Sequence, residues 1–119
     1  MAKVKYSPEA QNDLLCIMLY IRDELFNPPA AMRVVKKIIE KNSLLETTPQ
    51  IGTPLSSTVS IGTDYRFLVS ENYVSFYRFV SSDNTCFIDR ILYSKRDYIS
   101  ILFGEAISQD NNDKLDEEL

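Results

Sequence analysis

The stretch from Tyr65 to Tyr98, YRFLVSENYVSFYRFVSSDNTCFIDRILYSKRDY, constrains the fold more than any other part of the chain. Three runs within it, Tyr65–Val69, Tyr73–Val80 and Thr85–Tyr93, are dense in aromatic and β-branched residues. Such residues suit a pleated, half-buried surface. Ser70-Glu71-Asn72 and Ser81-Ser82-Asp83-Asn84 separate the runs. Polar breaks of this length fit hairpin loops. The expected unit is a three-stranded antiparallel meander, followed by a basic segment, Ser94-Lys95-Arg96-Asp97-Tyr98.

The chain before the meander reads as helical packing for it. Lys3–Tyr6 is short and β-prone, an added strand. In Ser7-Pro8-Glu9, Ser7 can cap a helix, Pro8 suits its first position and Glu9 favours its positive end. The apolar stripe Ala10, Leu14, Ile17 or Met18, Ile21 and Leu25 carries that helix to about Leu25. Asn27-Pro28-Pro29 ends it, and Asn27 is placed to cap a second helix from about Pro29 to Leu45. Ala31, Val34, Val35, Ile38, Ile39, Leu44 and Leu45 form its buried side, and Arg33, Lys36, Lys37, Glu40 and Lys41 its wet side. So short a break predicts a helical hairpin. Thr47 to Asp64, with Pro49, Gly52, Pro54 and Gly62, reads as a loop. A short helix from about Lys95 to Phe103, stopped by Gly104, closes the domain. The expected fold is α+β over residues 1–104: an N-terminal strand and a helical hairpin packed on an antiparallel sheet of about four strands. Residues 105–119 are acidic and lack aromatics, so disorder is expected there.

Composition narrows the chemistry. A chain of 119 residues suits one domain. No apolar run approaches the roughly 20 residues of a membrane helix, and MAKVKYSPEA has no signal-peptide core, so the expected compartment is the cytoplasm. Cys16 and Cys86 stand alone in apolar contexts and read as two buried thiols. There is no histidine, the commonest general base and metal ligand. No metal site and no cofactor is expected. The net charge of −4 hides an asymmetry, because residues 105–119 carry −5 and leave the first 104 residues at +1. The positive charges of interest lie in or after the meander, at Arg66, Arg78, Arg90, Lys95 and Arg96.

The densest group is at the end of the last strand, where Arg90, Tyr93, Lys95 and Arg96 fall within seven residues. Cations at a strand end can meet a phosphate or an acidic protein surface without being buried. Structural readings stand beside this one. Arg78 and Arg90 fit cross-strand ion pairs equally well. Tyr73 and Tyr77 fit core or rim aromatics. Lys95-Arg96-Asp97 fits a helix start capped by Ser94, although basic charge in a first turn opposes the helix dipole.

Several pieces occur together in order: YSPEA (6–10), NPPAA (27–31), LLETTPQIGTP (44–54), YRFLVSENYVSFYRF (65–79) and IDRILYSKRDYISILFG (88–104). Over residues 3–104 the chain resembles the RelE/ParE superfamily of bacterial type II toxins, the plasmid stabilisation proteins. The resemblance implies a growth-inhibiting toxin and a cognate antitoxin partner that wraps and neutralises it. RelE-like members cut mRNA on the ribosome without metal, using basic side chains and a Tyr or His near the C-terminus. ParE-like members poison DNA gyrase and are not nucleases. A third reading is a toxin fold that only binds a partner. Cleavage needs a base, an acid and cations for the extra negative charge. On the RelE-like reading the catalytic group is Arg90, Tyr93, Lys95, Arg96 and Tyr98, with Arg66 and Arg78 binding substrate. The basic and phenolic cluster favours RNA cleavage. Against it stand Val74, where RelE-type nucleases carry an arginine after the tyrosine, and the weak net charge of the domain.

Overall fold

Ser7 caps the first helix as its place before Pro8 predicts. In the computed structural model, which describes residues 1–104, its hydroxyl accepts the Ala10 N–H at 2.9 Å. The expectation of a disordered acidic tail falls on residues 105–119, outside the described residues. Strand β1 (Lys3–Tyr6) leads into α1 (Pro8–Leu19), whose last turn widens into a π-helix at Tyr20–Glu24. Phe26 then takes a left-handed backbone (φ 51°) and reverses the chain. The Asn27 side chain caps α2 (Pro28–Ser43), accepting the Ala30 N–H at 3.2 Å. Among the described residues no helix is long and apolar enough to cross a membrane.

The meander forms as expected. Strands β3 (Arg66–Ser70), β4 (Tyr73–Val80) and β5 (Thr85–Tyr93) pair antiparallel. Two additions make a mixed sheet of five strands rather than about four, in the order β1-β5-β4-β3-β2. β1 lies parallel to β5, with Lys3 opposite Thr85 and Tyr6 opposite Ile88. β2 is only Thr53–Pro54, paired with Phe67 and Arg66. A two-residue strand carries no periodicity, and proline is tolerated because the strand is at an edge. The helix α3 runs from Tyr98 to Phe103, three residues later than expected. Asp97 caps it, not Ser94, through the Ser100 N–H at 3.2 Å. Lys95 and Arg96 therefore precede the helix, with the Asp97 carboxylate between them and its first turn.

Each face of the sheet has a core. On one, Ala10, Ile17, Ile21, Ala31, Val34 and Ile38 of the hairpin pack with Leu68, Tyr77, Cys86, Ile88 and Ile91. On the other, Val74, Phe76 and Leu92 lie with Leu55 under Tyr98, Ile101, Leu102 and Phe103. Some expected core positions are wet: Ile39 and Leu44 on α2 are exposed, as is Cys16, while Cys86 is buried as expected.

The β4–β5 ladder contains a bulge. Phe76 faces Arg90 and Tyr77 faces Ile88, so Asp89 is the extra residue. A bulge unpairs backbone and re-aims side chains. Here α1 supplies the missing partners. Asp13, only 8% exposed, accepts the Ile91 N–H at 2.9 Å and both arms of Arg90, Nε at 2.8 Å and Nη2 at 2.9 Å. Ser7 adds a backbone bond to Ile88 O (2.9 Å) and a hydroxyl bond to Asp89 O (2.7 Å).

Removing one member of a fully buried, bidentate pair costs about 3–5 kcal/mol, and the partial exposure of Arg90 puts this pair at the low end. Asp13→Ala also orphans a buried N–H. We expect it to lower stability by about 3 kcal/mol, or roughly 10 °C in the unfolding midpoint. Thermal unfolding followed by circular dichroism measures this. An unchanged midpoint would show that the pair braces nothing.

Candidate functional site

The cationic cluster legible in the sequence divides into two kinds of residue. Arg90 is committed to Asp13 and points into the α1–sheet junction. Arg78 donates from Nε to Asp89 Oδ2 at 3.1 Å, and its guanidinium carbon lies 5.4 Å from the Tyr65 ring centre. Arg66 donates from Nη1 to the carbonyls of Gly52 (2.8 Å) and Gln50 (3.2 Å), tying the long loop to β3. Lys95 and Arg96 are exposed and engage no carboxylate among the described residues.

Register separates these groups. Tyr93 faces Tyr73, and Tyr73 faces Ser70, at one end of the sheet. Arg66 faces Tyr77 toward the other end, and Arg78 follows Tyr77 on β4. Arg78 lies five residues from Tyr73, about 16 Å at a rise of roughly 3.3 Å per residue. The structure thus gathers Tyr93, Ser94, Lys95, Arg96 and Tyr98 at one rim and leaves Arg66, Arg78 and Arg90 outside it.

The rim borders an apolar cavity of about 180 Å³. Leu55, Phe67, Val74, Phe76, Tyr93 and Tyr98 line it, and Thr58 and Ser94 add hydroxyl groups to the wall. Tyr98 stacks on Phe76 with ring centres 5.2 Å apart, and Tyr93 meets Tyr73 edge-on at 6.1 Å. The loop reaches the cavity because Tyr77 pins it. The buried Tyr77 hydroxyl accepts the Gly52 N–H and donates to Pro49 O, both at 2.9 Å. Gly52 must be glycine there, since a Cβ would sit 2.6 Å from the Tyr77 ring and hydroxyl.

Tyr98, Tyr73 and Tyr65 are tuned toward the protonated state. Burial pushes Tyr98 up. Burial, then the neighbouring Tyr20, Tyr93 and Glu71, pushes Tyr73 up. At the far end, burial and the Asp89 carboxylate push Tyr65 up to about 12. Two Ser100 hydrogen bonds hold Asp97 below the usual carboxylate range. A protonated phenol can donate a proton or hydrogen bond but does not accept a proton near neutral pH. Among the described residues the rim therefore offers two cations, Lys95 and Arg96, and a phenol, Tyr98, held toward its proton-donating form.

Asp13, Tyr65 and Asp89 are missed by reading the sequence for cations. One signal was present for Asp13: it interrupts the apolar stripe three residues after Ala10 and four before Ile17. A carboxylate there is on the buried face and needs a partner.

A second surface lies on the helical hairpin. Phe26 is 86% exposed, Met32 66% and Leu25 54%, and Met32, Val35 and Ile39 line a groove along α2.

The sequence pattern of the family described as the ParE toxin of the type II toxin–antitoxin system parDE matches residues 4–98. No curated protein matches the chain significantly. Among solved structures, the chromosomal ParDE toxin–antitoxin system of P. aeruginosa has a chain similar to this one with a TM-score of 0.65 at 21% identity, covering 80% of this chain and 98% of that one. A chain of the Mycobacterium tuberculosis toxin–antitoxin complex RelBE2 is similar with a TM-score of 0.53 at 18% identity, over 77% of this chain and 90% of that one. The isolated RelE toxin of E. coli is similar at 0.50 and 13% identity, over 92% and 99%. At these identities the likeness is one of fold.

The Tyr65–Asp89 pair gives a direct check of the far end. The Tyr65 hydroxyl donates to Asp89 Oδ2 at 2.6 Å. Its raised pKa means that the pair stabilises fully below pH 10, the unperturbed phenol value, and that this contribution is lost as pH rises through about 12. In a carbon NMR titration of the tyrosines, Asp89→Asn should bring the Tyr65 transition down toward the ordinary phenol value. A Tyr65 titration unmoved by that change would rule out the pairing.

Proposed function

This chain belongs to the ParE toxin family of type II toxin–antitoxin systems, and on that premise we propose that it inhibits growth by engaging a protein target, DNA gyrase, and not by cutting mRNA. The observation that carries this reading is the commitment of Arg90 to Asp13. Phosphodiester cleavage by a ribose hydroxyl needs a base, an acid and several cations on one phosphate. Of the five grouped cations, Arg90, Arg78 and Arg66 are engaged in bracing the fold. Lys95 and Arg96 remain, beside phenols that are pushed away from acting as bases. Two exposed cations at a strand end suit the acidic rim of a protein partner.

One observation favours the alternative. The stacked rings of Phe76 and Tyr98, near Lys95 and Arg96 in the chain, combine stacking surface with cations, as single-stranded RNA sites do. That reading supplies binding and leaves the proton acceptor unassigned.

The test is to express the wild type and a Lys95→Ala/Arg96→Ala double variant without antitoxin. The wild type should trap gyrase on DNA and leave ribosome-bound mRNA ends unchanged. The double variant should fold normally and need roughly tenfold more protein for the same supercoiling inhibition, as for the loss of one interface anchor. Mapped mRNA cuts that vanish in the double variant would instead establish the nuclease.

The neutralising partner, on the same reading, is an antitoxin whose amphipathic segment covers the hairpin. Phe26 holds a left-handed backbone with its ring in solvent, a strain of order 1–3 kcal/mol that packing within the chain does not repay. Exposed Met32 and Ile39 continue the apolar stripe at helical spacing. Phe26→Ser with Met32→Ser should weaken antitoxin binding at least tenfold while toxicity persists. Calorimetry with the product of the adjacent short reading frame measures this, and unchanged affinity would remove the hairpin from the interface.

A further inference from the structure

The cavity beside Tyr93 and Tyr98 holds about 180 Å³. Pockets that take whole small-molecule ligands run to roughly 300–1,000 Å³, whereas an apolar cavity of about 150 Å³ holds one benzene. The space therefore suits a single side chain. Leu55, Val74, Phe76 and Tyr98 make its walls apolar, and Thr58 and Ser94 add two small hydroxyl groups. A nucleobase has polar edges on most of its perimeter, and burying them against such walls costs free energy. An aliphatic group carries no such penalty.

Charge determines what flanks that group. Lys95 and Arg96 lie on the turn between two lining residues, Ser94 and Tyr98. Backbone hydrogen bonds hold the turn. The Arg96 N–H donates to Tyr93 O and the Tyr98 N–H to Arg96 O, both at 2.9 Å, and the Ser94 N–H donates across to Asn72 O at 2.8 Å. The backbone under the two cations is thus set before a partner arrives, which lowers the ordering cost of binding. The neighbouring carboxylates are engaged elsewhere. Asp97 accepts the Ser100 N–H at 3.2 Å and the Ser100 hydroxyl at 2.6 Å. Glu71, next to Asn72, is held by Arg33 at 2.8 Å and Lys37 at 3.2 Å. Among the described residues no carboxylate pairs with Lys95 or Arg96.

We propose that the cavity is the anchor pocket for a protein segment in which an aliphatic residue adjoins carboxylates. A side chain of leucine size enters the cavity, and the carboxylates pair with Lys95 and Arg96 outside it. A buried apolar anchor inside a charged rim is how a few contacts dominate an interface. The anchor supplies affinity, and the charge-assisted bonds fix direction. The inference rests on the reading of Lys95 and Arg96 as the target-facing group, and it assigns the segment to the target protein.

Amide NMR on the full chain tests the pocket without any toxicity assay. The probe peptide acetyl-Leu-Glu-Glu-amide should shift the amides of Val74, Phe76, Ser94 and Lys95. Acetyl-Ala-Glu-Glu-amide, which lacks the anchor, and acetyl-Leu-Gln-Gln-amide, which lacks the charge, should each need severalfold higher concentration for the same shifts. Raising salt should weaken the first peptide toward the third. Equal shifts from all three, or shifts confined to α2 around Lys36–Lys41, would overturn the proposal. So would stronger shifts of the same amides by a short oligouridylate, which would give the rim to RNA. Thr58 is an exposed wall residue, so Thr58→Phe fills the cavity and keeps both cations. Thr58→Leu is a smaller filler, used if the first lowers the unfolding midpoint. The filled variant should lose the peptide shifts and need about tenfold more protein to inhibit gyrase supercoiling. If it instead weakens antitoxin binding and inhibits gyrase as well as the wild type does, the pocket belongs to the antitoxin and the proposal falls. If the peptides bind as expected and no form of the chain inhibits gyrase, the pocket stands and the target assignment falls.

Discussion

A single carboxylate, Asp13, reconciles the two layers of this fold. The bulge at Asp89 turns Ile88 and Ile91 toward the same helices, which a regular two-residue alternation forbids. The cost is a disturbed ladder, with an Ile91 N–H and an Arg90 guanidinium near the hairpin. Asp13 satisfies both from the middle of an otherwise apolar helix face. Ser7 performs two tasks, capping α1 and holding the backbone of Ile88 and Asp89. Helix and bulge therefore specify each other's register. A slip of α1 by one residue strands a buried charge, a larger penalty than most packing errors impose.

The same bulge sets which cations stay exposed. It sends Asp89 to the opposite face, where it gathers Tyr65 and Arg78 into an internal cluster. With Arg90 turned toward α1, the strand end is left with Lys95 and Arg96 as its exposed cations. The distribution of charge over the site thus follows from one extra residue in β5. A cation count along the chain overstates the site because it treats braced and free arginines alike.

Periodic features were legible in the sequence. The meander, the two helices and the caps at Ser7 and Asn27 depend on neighbours a few residues apart and are found where the pattern puts them, although Leu25, Ile39 and Leu44 of the expected stripes are exposed. Features that depend on distant partners were not. The parallel seat of β1 is decided by β5, more than 80 residues away. β2 exists because Tyr77 and Arg66 pin a loop, and nothing in Thr53-Pro54 announces it. The role of Arg90 is decided by Asp13 on another element. The start of α3 was misplaced because Ser94 and Asp97 are both competent caps, and the turn from Tyr93 to Arg96 favours the second.

The parallel pairing of β1 with β5 also governs how the protein comes into being. Lys3 waits for Thr85, and the hairpin has no sheet to cover until the meander emerges. At about 5–20 residues per second of synthesis, the chain spends roughly 5–20 s without its last strand. Long-range pairing of this kind also slows the final closure. The strand that carries Tyr93 toward Lys95 and Arg96 is also the one that completes the sheet. A chain cut short before β5 therefore lacks both the partner of β1 and the strand end that carries Lys95 and Arg96.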